Sequence, residues 1–349
     1  MFGSVSQRLF HGAGDAQPDD VGGASTPVQS DEPAPPDRDI SAETASSHRG
    51  LTIGIALGGG AALGWAHIGV LRVLIENGYD PDIIAGTSIG AVVGGCHAAG
   101  RLDDVEDFAL SLTRRRVFGM LDFSLSGSGL ISGDRLSTLL EKGLIDHDIE
   151  TLPKRFVAVA TEMRTGHEIW LQKGNLVEAL RASYALPGVF KPRKVMGRWL
   201  FDGAMVNPVP VSVCRGLGAR LVISVNLQSD QFGKGGVVPL VEEPDADEDE
   251  AIPGRIETAA RLVRKQLVGA PDGPPGMSAV MMDALTVMQD RISRARLAGD
   301  PPDINIGPRV RKIGLFEFHR AKEAIDAGRE AAERALEDIA QAVVSLREV

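Results

Sequence analysis

Two apolar segments, each ending in a glycine turn that leads into a helical pattern, constrain the fold of this chain more than any other feature. Leu51–Leu57 is a β-branched apolar run that stops at three glycines, as is typical of a buried strand. Apolar residues then recur at helical spacing as far as Asn77, where an Asn-Gly pair predicts the helix end. Asp82–Ala85 predicts a second strand, and a helix over Ile89–Ala99 follows. This alternation predicts a parallel α/β sheet with right-handed crossovers.

The rest of the chain continues the pattern less regularly. Further strands are predicted at Arg155–Thr161, Glu168–Gln172, Trp199–Phe201, Arg220–Asn226 and Ile304–Ile306. Helices are predicted over 256–268 and 278–298, and an amphipathic helix begins near Arg320. No internal repeat is visible.

Composition divides the chain into four regions. Residues 1–49 are rich in Gly, Ser, Pro and Asp, so they bury too little apolar surface to offset ordering entropy and are predicted to be a disordered arm. An ordered core that carries the strand–helix alternation is predicted over 50–227. An acidic, flexible loop is predicted over 228–255, and a helical part that packs on the core over 256–349.

Charge and cysteine usage limit the possible partners. The formal net charge is −10 and no basic patch interleaved with aromatics is visible, so we expect no nucleic-acid binding. The acidity also argues against simple electrostatic docking onto an anionic membrane. Cys96 and Cys214 form no metal-ligand spacing or disulfide framework, and we expect buried thiols, no metal and no cofactor. No leader peptide or spanning segment is visible, which predicts a cytoplasmic protein and leaves transient membrane-surface contact open.

Gly86-Thr87-Ser88-Ile89-Gly90 matches G-x-S-x-G, the nucleophile elbow. A nucleophile needs a sharp strand-to-helix turn that lifts its hydroxyl above the sheet, and glycines at both flanks let strand and helix approach. The alternative is an ordinary strand–turn–helix connection. The motif lies between a predicted strand and a predicted helix, and this position favours Ser88 as a nucleophile, with Gly86 and Gly90 as the elbow glycines.

The glycine-rich loop Gly58–Gly64 has two interpretations. Its backbone N–H groups can form an anion site near a helix N-terminus. A dinucleotide loop would need a third glycine where Leu63 stands and an acid at the end of the next strand. Both are missing, so an oxyanion hole beside the elbow is the better prediction.

The base is predicted to be a carboxylate. Asp202 precedes Gly203 after a predicted strand, although an Asp-Gly pair alone is also a common turn. A Ser…Asp…His triad needs a histidine after the acid, and only His319 follows. Neither His319 nor His67, which lies one turn into the first helix, has a persuasive setting. A Ser88–Asp202 dyad is therefore favoured.

Four motifs in order resemble the patatin-like phospholipases, particularly the bacterial members: GGGxxxGWAHIGVL, GTSIG, ASxALPG and DGA, over about Leu51–Ser212. The resemblance implies a three-layer α/β/α fold and hydrolysis of lipid acyl esters. It implies that Ser88 is the nucleophile and Asp202 the base. It also implies that Ala182–Gly188 supports the site, and that the oxyanion hole uses the backbone N–H groups of Gly59, Gly60 and Ala61. Two residues depart from the family pattern: Leu63, where a cation is usual, and Ala61, where the motif has glycine.

Two rival functions stay open. An acyltransferase would pass the acyl group to an acceptor other than water, and a lipid-sensing regulatory protein would carry a vestigial site. Lipid access also has two interpretations. Apolar residues of the second late helix either form a mobile lid or, the favoured alternative, pack on the core: Met277, Val280, Met281, Met282, Leu285 and Met288. Head group, acyl-chain preference and oligomeric state are not predicted.

Overall fold

The computed structural model describes residues 50–120, 147–230 and 276–347. The predicted arm over 1–49, nearly all of the predicted acidic loop and the predicted helix over 256–268 lie outside these ranges. Within the described ranges, eight strands form one sheet: β1 (Ile53–Leu57), β2 (Ile83–Thr87), β3 (Arg155–Glu162), β4 (Glu168–Leu171), β5 (Arg193–Val195), β6 (Arg198–Asp202), β7 (Leu221–Val225) and β8 (Ile304–Ile306).

The helices connect and cover these strands. They are α1 (Ala66–Glu76), α2 (Ile89–Ala98), α3 (Leu102–Leu110), α4 (Arg114–Met120), α5 (Leu176–Ser183), α6 (Val211–Gly216), α7 (Met277–Gly299) and α8 (Ala321–Arg347). None of the helices in the described ranges combines the length and apolar content needed to cross a bilayer.

The sheet is mainly parallel, as predicted. Five strands run parallel in the order β3-β2-β1-β7-β8. β4 and β6 both pair antiparallel with β3, and β5 pairs antiparallel with β6. The glycine loop after β1 and the elbow after β2 therefore stand at the same edge of the sheet, because the carboxyl ends of adjacent parallel strands lie together.

Alternate residues of the strands belong to two different cores, which shows that both faces of the sheet are covered. On β1, Ile53 and Leu57 belong to the core shared with α1, α2 and α8, whereas Ala56 belongs to a smaller core shared with α6. On β7, Ile223 belongs to the first core and Val222 to the smaller one. A side-chain period of two explains this division. The result is the predicted three-layer α/β/α architecture.

Helix α8 packs directly on α1 through two glycines. A Cβ atom added to Gly69 of α1 would overlap the carbonyl oxygen of Ile325 in α8. Conversely, a Cβ atom added to Gly328 of α8 would overlap the carbonyl oxygen of Ala66 in α1. Backbone therefore meets backbone at this crossing, and the C-terminal helix is part of the core layer.

Candidate active site

Ser88 lies on a strained turn between β2 and α2. Its backbone φ is 56°, in the left-handed region where residues other than glycine are uncommon and where strain often accompanies function. A Cβ atom on Gly86 would overlap the backbone of Ala91, and one on Gly90 would overlap the carbonyl of Leu57. The turn therefore needs glycine at both flanking positions.

Strand β3 brings Ser88 and Asp202 together. Thr87, the last residue of β2, pairs with Val159, and Asp202, the last residue of β6, pairs with the next residue, Ala160. Since β2 runs parallel to β3 and β6 antiparallel to it, their carboxyl ends meet at this point. The Ser88 hydroxyl donates a hydrogen bond to Asp202, with 2.7 Å between Oγ and Oδ2.

The Asp202 carboxylate is almost sealed from solvent, with 1% of the residue exposed. Burial raises its pKa to about 6, although hydrogen bonds from the Ala204 N–H and the Ser88 hydroxyl act in the opposite direction. The Ala204 N–H holds Oδ1 at 2.8 Å. A Cβ atom on Gly203 would overlap the carbonyl of Val159, so the glycine after Asp202 permits this close approach. The result is a carboxylate that is ionised at neutral pH and more basic than an exposed aspartate.

Ser183 links the turn that carries Ser88 to strand β3. Its hydroxyl accepts a hydrogen bond from the Ser88 N–H at 3.0 Å and donates one to the Val159 carbonyl at 2.7 Å. Two residues later, the Ala185 carbonyl accepts a hydrogen bond from the Asp202 N–H at 3.0 Å. The Ala182–Gly188 segment thus holds the backbone of both the serine and the aspartate.

We expect Ser183→Ala to lower the free energy of unfolding by about 1–3 kcal/mol, because the partly buried Ser88 N–H and the buried Val159 carbonyl each lose a hydrogen-bond partner. Ser345→Ala is the matched control, since the Ser345 hydroxyl bonds the Gln341 carbonyl on the exposed surface of α8. That control should change stability by less than about 0.5 kcal/mol. Urea unfolding measures both variants, and equal stability of the two would contradict the buried role of Ser183.

The glycine loop after β1 lies against Ser88. A Cβ atom on Gly59 would be 3.5 Å from the Cβ of Ser88, which is ordinary contact. The start of the loop is tied down: the Gly58 N–H donates to the Val225 carbonyl at 3.1 Å, and the Gly59 N–H donates to the Pro208 carbonyl at 2.9 Å. Gly59 was predicted to contribute its N–H to the oxyanion hole. That N–H is instead already hydrogen-bonded within the fold.

The next two amides of the loop differ from Gly59. Among the residues that the structure describes, no acceptor bonds the N–H of Gly60 or of Ala61. Ala61 has a φ of 49°, a conformation that glycine adopts more readily. The Ala62 N–H, in contrast, donates to the Leu315 carbonyl at 2.9 Å. Two adjacent N–H groups, directly after the Gly59 contact with Ser88, are therefore available in this loop.

Comparison with known proteins identifies the family. Residues 55–215 match the family model described as patatin-like phospholipase. An uncharacterized NTE family protein of Mycobacterium tuberculosis is 35% identical over 328 residues, covering 82% of this chain and 91% of the relative. The chain belongs to the patatin-like phospholipase family. A second NTE family protein, from Mycobacterium bovis, is 30% identical over 293 residues, covering 82% of this chain and 47% of the relative.

Membership of the patatin-like phospholipases supports a lipid hydrolase activity. Among solved structures, VipD from Legionella pneumophila matches with 14% sequence identity and a TM-score of 0.42, covering 82% of this chain and 66% of that chain. Human GIVD cytosolic phospholipase A2 matches with 11% identity and a TM-score of 0.32, covering 85% and 62%.

The departure of this patatin-like chain at Leu63 has a structural consequence. The Leu63 side chain is completely buried in the main core, so the position usual for a cation contributes apolar packing here. No group of three or more His, Cys, Asp or Glu side chains within the described ranges is arranged to hold a metal ion. Cys96 and Cys214 are buried free thiols, as predicted, and burial raises the pKa of each to about 12.

His67 supports the glycine loop rather than the serine. It is fully buried, and its Nε2 atom lies 2.7 Å from the Gly58 carbonyl oxygen. Since a carbonyl only accepts, Nε2 carries the proton that it donates. Burial lowers the pKa of His67 to about 4, so the ring is neutral at neutral pH. His319, the one histidine after Asp202, instead accepts a hydrogen bond from Arg114 at 3.2 Å.

Helix α7 borders the site, and its apolar residues divide between core and surface. Leu285 is buried, whereas Val280, Met281 and Met288 are exposed. The Met281 methyl group occupies the space that a side chain on Gly188 would need. The favoured prediction of a core helix thus holds for one face of α7 only. The side chain of Met277 lies outside the described residues.

Proposed function

We propose that this protein hydrolyses acyl esters of lipids through a Ser88–Asp202 dyad and an acyl-serine intermediate. The observation that carries the proposal is the direct 2.7 Å hydrogen bond between the Ser88 hydroxyl and the Asp202 carboxylate. A nucleophile in hydrogen-bond contact with its base is the signature of covalent catalysis. The lipid character of the substrate follows from the family.

In the first half of the reaction, Ser88 Oγ attacks the ester carbonyl carbon and its proton passes to Asp202 Oδ2. The tetrahedral intermediate collapses, the Asp202 proton passes to the leaving alkoxide, and the alcohol departs. In the second half, water gives a proton to Asp202 and attacks the acyl-serine. Return of that proton to Ser88 releases the fatty acid.

The oxyanion needs donors that the fold has not already used. The N–H of Ser88 is bonded to Ser183 and that of Gly59 to Pro208. We therefore assign the oxyanion hole to the N–H groups of Gly60 and Ala61, with the positive N-terminal end of α2 adding to the stabilisation. Each such donor lowers the barrier by about 2.7–4 kcal/mol.

A fluorophosphonate probe tests the nucleophile, and product analysis tests the reaction. We expect the probe to label wild-type protein at Ser88, as read from the modified peptide by mass spectrometry, and to leave Ser88→Ala unlabelled. Phospholipid, lysophospholipid and acylglycerol substrates should yield free fatty acid from wild type only. No labelling would favour a vestigial site. Acyl transfer to an added alcohol or thiol with little free acid would replace the hydrolase by an acyltransferase.

A further inference from the structure

A wide groove opens on the surface at the start of β6, outside the dyad. Its volume is about 1050 Å³. Apolar side chains at the groove are unusually exposed: 74% of Met196, 55% of Trp199 and 48% of Met163. The residues that line it are Glu162, Met163, Arg164, Lys191, Pro192, Met196, Gly197, Arg198 and Trp199.

The groove is positively charged on an acidic protein. Three of its lining residues are cations, Arg164, Lys191 and Arg198, and all three are exposed. Glu162, the one carboxylate among the described lining residues, forms an ion pair with Arg198 at 3.0 Å, so the net positive charge of the lining comes from Arg164 and Lys191. Lys194 of β5, which pairs with Trp199 of β6, adds a further exposed cation. Exposed cations and exposed apolar side chains therefore line the same groove, although the whole chain has a net charge of −10.

The backbone of β6 connects this groove to the catalytic base. Trp199 is the second residue of β6 and Asp202 is its last. Three residues along a strand span about 10 Å. The Trp199 carbonyl also accepts a hydrogen bond from the Met163 N–H at 3.0 Å. The backbone segments that carry these two apolar side chains therefore lie next to each other. A bilayer in contact with Trp199 would therefore lie next to the strand that ends at the dyad.

We infer that this groove docks the protein onto anionic phospholipid bilayers. Trp and Met supply apolar surface, and a tryptophan ring prefers the membrane–water interface. Exposed Lys and Arg bind lipid phosphates and are attracted to an anionic leaflet. A net negative charge opposes docking onto an anionic membrane when the charge is spread evenly over the protein surface. Here the groove is locally positive, so docking through the groove is not opposed in this way. The inference rests on the proposed function for its choice of a lipid surface.

Vesicle sedimentation tests the inference, and it uses Ser88→Ala protein so that the result does not depend on turnover. We expect the full chain to sediment with phosphatidylcholine vesicles that contain phosphatidylglycerol, to bind pure phosphatidylcholine far more weakly, and to be released by salt. Lys191→Glu should lower the partition coefficient roughly 25-fold, since each basic residue near an anionic surface contributes a factor of roughly five. Trp199→Ala should weaken binding to both vesicle types.

Matched variants control for charge and for the loss of a tryptophan. Lys312 is an exposed lysine and Trp170 a partly exposed tryptophan, and neither lines the groove. Lys312→Glu and Trp170→Ala should sediment like the parent protein, and thermal melting should show that all four variants are folded. Equal sedimentation of groove and control variants would overturn the inference. So would binding of an oligonucleotide in place of vesicles. If groove-dependent vesicle binding is found but no ester is hydrolysed, docking stands and the proposed hydrolase fails.

Discussion

Asp202→Asn is expected to lower kcat for a p-nitrophenyl acyl ester at pH 8 by about 10²- to 10⁴-fold, the usual contribution of a positioned base. An amide cannot take the proton that leaves Ser88 Oγ. The substitution is close in shape, so the Ala204 N–H can still donate to the side-chain oxygen at the Oδ1 position, which lies 2.8 Å away in the wild type. The loss is therefore chemical, with little change in packing.

The pH profile separates this explanation from a general disturbance of the site. Burial raises the pKa of Asp202 to about 6. For wild type, kcat/KM should rise with pH through about 6 and level off above it, because only the ionised carboxylate accepts a proton. Asp202→Asn should lose this step. A wild-type profile that is flat from pH 4 to 8 would contradict Asp202 as the base.

The same buried carboxylate is predicted to cost stability. Its pKa is about 6 in the folded protein and about 3.9 in an unfolded chain. The folded state therefore binds the proton more tightly, so the contribution of Asp202 to stability is most favourable below about pH 4 and is lost as the pH rises through about 6. The loss amounts to about 3 kcal/mol at neutral pH.

Asp202→Asn should accordingly be more stable than wild type at pH 8, by up to about 3 kcal/mol, while being almost inactive. The difference should shrink toward pH 4. Urea unfolding at several pH values measures it, with Ser345→Ala as a surface control. A variant that is less stable than wild type at pH 8 would show that the Asn side chain leaves its buried partners unsatisfied.

Gly69→Ala is expected to lower the free energy of unfolding by about 3 kcal/mol, at the upper end of the usual cost of overpacking. The added methyl group would overlap the Ile325 carbonyl, so α1 and α8 must separate along their contact. Alanine in a helix interior gains only about 1 kcal/mol over glycine through helix propensity. The clash therefore outweighs the gain. Gly328→Ala, on the facing helix, should have a similar effect.

Gly299→Ala is the control for this pair of substitutions. Gly299 ends α7, and a Cβ atom there would meet nothing within 4 Å. The same chemical change should therefore be neutral or slightly stabilising. Thermal or urea unfolding compares the three variants. If Gly69→Ala and Gly328→Ala were as stable as Gly299→Ala, the close contact between α1 and α8 would be contradicted.

The sequence predicted the strands and helices that carry the chemistry, because their signals are local. The apolar run before the glycine loop and the glycine–serine turn before α2 each lie within a few residues, and both elements have the predicted positions. Helices α3 to α6 and strand β5 were not predicted. α6 has six residues and β5 has three, too few to show a clear period.

The sequence by itself determined which residues can react. The glycine-flanked serine and the aspartate before glycine are both short local patterns that can be recognised without a structure. Tertiary structure alone decided that they meet. Ser88 and Asp202 are 114 residues apart in the sequence, and only the pairing of β2 and β6 with consecutive residues of β3 brings them together. It also decided which loop amides stay available, since the Gly59 N–H is bonded to the carbonyl of Pro208, a residue remote in the sequence. Hydrogen bonding depends on distance in space, and no local pattern encodes that distance.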